Sequence, residues 1–178
     1  NNTSDKRVVS RLVKQLMTLI KTDTVNARGE RTPVAGDFEM LRGFDFNSNG
    51  LLGNTLYVPY NATIDRASGA VSLELPELVP EQMISAPAGT THFKIVTGAS
   101  EVDFQAGNSL TVYTGTAEIP WDNTPMAALA LDLALTPAST LPLVLLLGVE
   151  FYQEINGVFY MLNNGSFNAL AIVNLNKQ

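Results

Sequence analysis

Residues 141–175 read LPLVLLLGVEFYQEINGVFYMLNNGSFNALAIVNL, and this stretch decides the fold. Apolar runs alternate here with short polar turns, and the first turn is Asn156-Gly157. A two-residue hairpin requires positive φ at both central positions, which Asn-Gly adopts at low cost. The stretch therefore predicts three consecutive antiparallel strands arranged as a β-meander.

The same two-residue period runs through most of the chain before this stretch. Strict alternation at 126–136 predicts a strand, although Ala and Leu also favour helices. Pro59 would place its strand at a sheet edge, because proline cannot donate to a ladder. Short strands separated by Gly, Pro and Asn are typical of an antiparallel β-sandwich, immunoglobulin-like or jelly-roll-like. The other alternating segments are 38–46, 56–64, 71–75, 91–97, 101–105 and 109–119.

The N-terminal segment has a helical period instead. Leu12, Leu16 and Leu19 recur on one face, which predicts an amphipathic α-helix over 4–21 with Ser4 as its N-cap. We predict this helix and a polar connector at 1–37, followed by a mainly β-sandwich region at 38–178. A sub-boundary near residue 85 is the alternative to one core shared by both halves.

Residues 141–149 are apolar on both faces of the predicted strand. Val144 and Leu146 occupy one face, and the other face holds Leu143, Leu145, Leu147 and Val149. An antiparallel strand with one wet face should alternate, so this strand must be covered on both sides. The N-terminal helix is the simpler cover and a second subunit is the alternative, which makes Val144 and Leu146 the predicted interface residues.

The distribution of charge limits the classes of partner. Residues 1–50 carry eight cations and six acids, a net charge of +2, whereas residues 51–178 carry three cations and eleven acids, a net charge of −8. A nucleic-acid partner would require a basic stripe, which the β-rich part lacks. The chain has no cysteine for a disulfide or a thiolate metal site. Its longest apolar window is interrupted too often to predict a membrane span.

The chain offers no set of residues that predicts catalysis. The single histidine, His92, lies in an alternating THFKIV segment, and a G-x-S-x-G sequence is absent. Acidic pairs arise by chance in so acidic a region, and we therefore predict that the protein is not an enzyme. Those pairs are Glu101/Asp103, Glu150/Glu154 and Asp122/Asp132.

Residues 45–50, DFNSNG, match the start of an EF-hand loop. Asp45, Asn47 and Asn49 would supply oxygen ligands, so Ca²⁺ is the one cofactor that this pattern suggests. The twelfth position should be Glu but is Leu56, and Asn and Gly are equally typical of an ordinary loop. The loop is the favoured interpretation, and no other cofactor is predicted.

Two aromatic residues are candidates for binding a glycan. Sugar-binding surfaces use exposed aromatic rings, and Tyr113 and Trp121 could form such a platform. Core packing is the ordinary alternative, because aromatic residues are common in strands.

Two segments resemble uncharacterised bacterial proteins. These are GVEFYQEINGVFYMLNNGSFNALAIV at 148–173 and PAGTTHFKIV from Pro87. In the proteins that these segments resemble, the C-terminal half is an immunoglobulin-like or fibronectin-like β-sandwich. The resemblance covers the last half of this chain and implies no enzymatic activity.

These expectations define one hypothesis of function and one alternative. We expect a non-catalytic structural or interaction module of a bacterial or phage-like surface assembly. Its expected partner is a protein, and a second copy of the chain is one candidate. An extracellular or cell-surface location follows from that hypothesis alone. A carbohydrate-binding module is the alternative, and neither nucleic acid nor a membrane span is expected.

Overall fold

The computed structural model describes residues 5–177. In that range the helices are α1 (Val8–Ile20), α2 (Leu52–Thr55) and α3 (Pro80–Met83), with 3-10 turns at Phe38–Leu41 and Leu162–Gly165. The strands are β1 (Asn61–Asp65), β2 (Ala70–Leu75), β3 (His92–Asp103), β4 (Asn108–Gly115), β5 (Ile119–Pro120), β6 (Leu129–Ala134), β7 (Leu143–Ile155), β8 (Val158–Met161) and β9 (Ala169–Asn176). Ser4, the predicted N-cap, lies outside the described residues.

The strands form two antiparallel sheets. The smaller sheet has the order β1-β2-β6. In the larger sheet β3 lies between β4 and β7, β5 extends the β4 side, and both β8 and β9 pair with β7. Because β2 pairs with β6, strands from both sides of position 85 share one sheet. The predicted mainly β, sandwich-like fold with an N-terminal helix is confirmed.

The main core lies between the two sheets. Strands β3 and β7 place alternate large side chains inward, and β2 meets them from the smaller sheet. Full burial of each such side chain contributes roughly 1.5–3 kcal/mol. The innermost residues are Leu73, Leu75, Phe93, Ile95, Leu143, Leu145, Leu147, Val149 and Phe151.

Local turn chemistry fixes several connections as the sequence predicts. Asn156 and Gly157 have φ values of 52° and 78° and connect β7 to β8. The turn at 65–69 joins β1 to β2, and the carboxylate of Asp65 accepts the backbone N–H of Ala67. The ambiguous 126–136 segment does contain a strand, β6.

The predicted C-terminal meander is wrong in its last step, because β9 pairs with β7 and not with β8. Strand β7 has 13 residues and β8 has four, so β8 covers only the far end of β7. The remaining edge of β7, Leu143–Val149, is taken by β9. Asn163 and Asn164 adopt φ values of 46° and 52°, which turn the chain back toward that edge.

Two other predicted strands are also wrong. The 38–46 segment begins with a 3-10 turn and contributes one bridge, Asp45 to Ala171. The 56–64 segment becomes a strand only at Asn61, after Pro59. In the first segment the buried residues are Phe38 and Leu41, whose three-residue spacing is that of the 3-10 turn. In the second segment Leu56 and Val58 are buried in the core before the strand begins. The 91–97 and 101–105 segments, predicted as separate, form the single strand β3.

Among residues 5–177, none of the helices combines the length and the apolar character that crossing a membrane requires.

We predict that Leu147→Ala lowers the free energy of unfolding by about 2–5 kcal/mol, because it leaves a cavity in the core between the sheets. Leu51→Ala is the matched control, since the Leu51 side chain is exposed. It should change the free energy of unfolding by less than about 1 kcal/mol. Urea unfolding followed by circular dichroism measures both, and equal losses would contradict the assigned core.

Candidate functional site

An apolar groove lies between α1 and the outer face of the larger sheet. Its volume is about 530 Å³. Val144 and Leu146 form its floor on β7, and Leu12 and Leu16 form the helix wall. Phe104 and the β3–β4 turn close the opposite side. The groove therefore contains the two residues that the sequence predicts at an interface.

The groove exists because α1 covers only part of the outer face. Val144 is buried in a second apolar cluster with Leu19 and Ile172, whereas Leu146 remains partly exposed. Gln15 donates to the Met40 carbonyl (2.7 Å) and Arg11 donates to the Asp45 carbonyl (2.7 Å). These bonds hold the helix over β9 and one end of β7, which leaves the β3–β4 side open.

The start of α1 is held by one carboxylate. Asp5 accepts the backbone N–H groups of Ser48 (2.8 Å) and Arg7 (2.6 Å) and forms an ion pair with Arg11 (2.6 Å). These donors, the Ser48 amide foremost, lower the pKa of Asp5 to about 2. Asp5 is therefore ionised at neutral pH, and its contacts hold the start of the helix although the N-cap residue makes no side-chain hydrogen bond.

A second apolar row lies on the solvent side of α1. Val9, Val13 and Met17 follow at four-residue intervals, and their exposed fractions are 70%, 51% and 53%. Arg7 and Lys14 lie beside this row. A surface helix needs an apolar stripe only toward its core, so the outer row has no role in packing the helix onto its own sheet.

A polar pocket of about 560 Å³ opens on the same face of the larger sheet. Lys94 lies 2.8 Å from Glu118 and 5.5 Å from the centre of the Tyr152 ring. The Tyr152 hydroxyl donates to buried Glu150 (2.8 Å). Burial raises the pKa of Tyr152, and this hydrogen bond raises it further. The exposed ring of Tyr113 forms part of the pocket wall.

Trp121 lies outside this pocket. Its indole N–H donates to the Ile84 carbonyl (3.0 Å), and its ring packs partly buried against the core between the sheets. Tyr113 points outward from the other side of the larger sheet, with an exposed fraction of 79%. The structure therefore does not bring the two predicted glycan-binding rings together.

The 45–50 loop ties the start of the β region to β9. Asp45 accepts the Leu52 backbone N–H (2.8 Å), and burial raises its pKa. Asn47 donates to the carbonyls of Ser166 (2.9 Å) and Asn168 (2.8 Å). The side-chain oxygen of Asn47 accepts the Asn49 backbone N–H (3.1 Å). These oxygens are engaged within the protein, and Ca²⁺ binding stays a prediction.

A hydrolase triad built on His92 would need a nucleophile such as Ser100 and a carboxylate such as Glu101 beside it, and these side chains have other partners. Ser100 hydrogen-bonds Thr111 (2.9 Å), and His92 lies 3.7 Å from Glu154 and stacks edge-on against Phe159. Glu101 points inward to Ser139. Within residues 5–177 there is also no cluster of three or more His, Asp or Glu that could hold a metal ion.

Sequence reasoning missed the cluster that Lys94 forms with Glu118, Glu150 and Tyr152. Lys94 lies opposite Glu150 in the register between β3 and β7. The two residues are 56 positions apart, and only the register of two strands brings them together. No short motif could reveal this cluster.

No protein-family model, no curated protein and no solved structure matches this chain. The resemblance to bacterial proteins therefore stays a prediction.

We predict that Glu101→Gln lowers stability most at neutral pH. Burial tends to raise the pKa of Glu101, but hydrogen bonds from Ser139 (2.7 Å) and the Thr136 amide (2.6 Å) outweigh it and lower the pKa overall. Because the pKa of Glu101 is lower in the folded state, its ionised carboxylate stabilises the fold at pH values above the unfolded-state pKa of about 4.3. This contribution to the free energy of unfolding is lost as the pH falls through the folded-state pKa.

The measurement is the free energy of unfolding between about pH 7 and pH 3. The difference between wild type and Glu101→Gln should shrink in acid, whereas Glu77→Gln, at an exposed carboxylate, should show no such trend. A difference that is constant with pH would contradict the proposed role of Glu101.

Proposed function

We propose that this protein is a non-catalytic structural module that associates with copies of itself, as in a bacterial or phage-like surface assembly. The observation that supports the proposal is the exposed outer row of α1, formed by Val9, Val13 and Met17 beside the apolar groove. Apolar residues exposed together next to a groove mark sites of protein association.

The apolar arc of α1 is wider than its own fold requires. Eight apolar residues occupy about half of the helix circumference, and the inward half of this arc packs on the sheet. Association would remove the other half from water at roughly 25 cal/mol per Å² of apolar surface. The apolar residues are Val8, Val9, Leu12, Val13, Leu16, Met17, Leu19 and Ile20.

Charge determines which surface of a second copy fits this helix. Arg11 and Lys14 lie in α1 and Arg7 and Lys21 flank it, so this segment is cationic and two α1 helices repel one another. Residues 51–178 carry a net charge of −8 and attract the helix. The contact is therefore heterologous, from α1 of one copy to the acidic β region of the next, and heterologous contacts build rings or open chains.

We predict that the double variant Val13→Gln/Met17→Gln weakens self-association by at least about tenfold. Glutamine keeps the helix propensity but removes apolar surface. Val25→Gln is the control, because Val25 is also exposed but lies outside the helix. Sedimentation velocity over a range of concentrations measures the association, and circular dichroism verifies the fold.

Salt supplies a second readout, because the attraction between opposite charges weakens as ionic strength rises. Association that falls with added salt supports the contact between α1 and the acidic region. A strict monomer at every concentration and at low salt would overturn the proposal, as would equal effects of the helix variant and the control.

A second candidate function is glycan binding in the polar pocket. The specific observation in its favour is the exposed Tyr113 ring in a pocket that also contains the hydrogen-bonding side chains of Lys94, Thr116 and Glu150. Aromatic rings stack on sugars while neighbouring polar groups fix their orientation. Trp121 contributes nothing to this pocket.

For that second candidate, we predict that Tyr113→Ala abolishes oligosaccharide binding and that Trp121→Phe preserves it. Glycan arrays supply the probes, and calorimetry measures the affinity for any oligosaccharide that binds. Absence of binding by the wild type would remove this candidate, and loss of binding in both variants would contradict the assigned pocket.

A further inference from the structure

Strand β4 is an edge of the larger sheet. Its backbone hydrogen bonds go to β3, and β6 of the other sheet runs near it without a hydrogen bond between them in the described chain. An edge strand with free N–H and C=O groups is a template for pairing with another strand.

The register identifies which backbone groups are free. Thr116, just after β4, donates its N–H to the Ile95 carbonyl (3.0 Å). The even-numbered residues of β4 therefore direct their backbone N–H and C=O groups toward β3. Successive residues of a strand direct these groups to opposite sides. The odd-numbered residues Ser109, Thr111 and Tyr113 therefore direct their N–H and C=O groups away from the sheet.

The sequence of β4 lacks the features that normally prevent edge pairing. Residues 104–117 contain neither a charged residue nor a proline, although the chain as a whole has a net charge of −6. The other sheet edges differ: β1 follows Pro59, β6 carries Asp132, and β8 and β5 have only four and two residues. The free side of β9 is hydrogen-bonded to residues 43–46, because the Gly43 and Phe46 amides donate to the Ile172 and Leu170 carbonyls. Charge and proline protect edges, and short strands offer little to pair with.

We propose that β4 pairs antiparallel with β4 of a second copy, about a twofold axis. The occupant is a second copy because two uncharged β4 edges meet without the repulsion that the other surfaces of residues 51–178, with a net charge of −8, would impose. This inference rests on the proposed self-association and adds a second contact surface to it. An isologous β4 contact joins copies in pairs, and the heterologous α1 contact joins the pairs.

Geometry selects the register of the pair. The outward-directed residues of one strand must meet those of the other, and the register centred on Thr111 is the one that pairs all three of them. Thr111 then lies opposite the partner's Thr111, and Ser109 opposite the partner's Tyr113. In this register Leu110, which is 52% exposed, lies opposite the partner's Val112. Three residue pairs then supply about six backbone hydrogen bonds.

The first test compares two Thr→Lys variants by sedimentation velocity. Thr111→Lys places two ammonium groups opposite one another at the axis and should raise the dissociation constant of the pair at least about tenfold. Thr63→Lys is the matched control, because Thr63 is an exposed threonine on the edge strand β1. Thermal unfolding followed by circular dichroism verifies that both variants fold.

Hydrogen exchange of wild-type protein gives a residue-level test. Raising the protein concentration should slow exchange of the Ser109, Thr111 and Tyr113 amides, whereas the Leu110 and Val112 amides bond to β3 and should be protected at every concentration. A uniform stabilisation of the whole fold would slow exchange of all five amides and would not distinguish odd-numbered from even-numbered residues.

The outcomes separate this inference from the proposed function. If Thr111→Lys has no effect while Val13→Gln/Met17→Gln weakens association, β4 pairing is wrong and the helix contact stands. If only Thr111→Lys weakens association, β4 pairing stands and the helix contact is wrong. A monomeric wild type at all concentrations overturns both.

Discussion

The rest of this structure depends on one constraint, which is that β7 is apolar on both of its faces and must be covered on each. The inward face, with Leu145 and Leu147, is covered by the smaller sheet. The outward face, with Val144 and Leu146, is covered by α1. Neither cover is dispensable, because uncovering either face would expose contiguous apolar surface to water. The order of the layers, helix, large sheet and small sheet, follows from this requirement.

The cover on the outward face is incomplete, and this leaves a groove and a pocket open on that face. Helix α1 is held at its start by Asp5 and in its middle by Gln15, above β9 and one end of β7. The remaining outer face holds an apolar groove at one end and a polar pocket at the other. An uncharged edge strand, β4, borders both. The proposals of self-association and of glycan binding rest on these exposed features.

Sequence reasoning succeeded where local chemistry decides the conformation. Asn156-Gly157 specified a hairpin because few other dipeptides adopt its φ values cheaply. The leucine alternation at 129–135 specified a strand because a helix would scatter those side chains. It failed at 38–46 and 56–64, because the buried apolar residues there lie on a 3-10 turn and on the stretch before β1. Of the candidate site, Val144 and Leu146 could be found from the doubly apolar pattern, but Lys94 and Glu150 could not.

The sequence by itself determined the β class, the N-terminal helix, the need for two covers on β7 and the separation of charge between the two ends of the chain. These are local or compositional properties, set by residue periods and counts. The tertiary structure alone decided that β9 returns to β7, that α1 leaves a groove, and that Tyr113 and Trp121 lie on opposite sides of the sheet. Those outcomes depend on strand register and on competition for edges, which involve residues far apart in the chain.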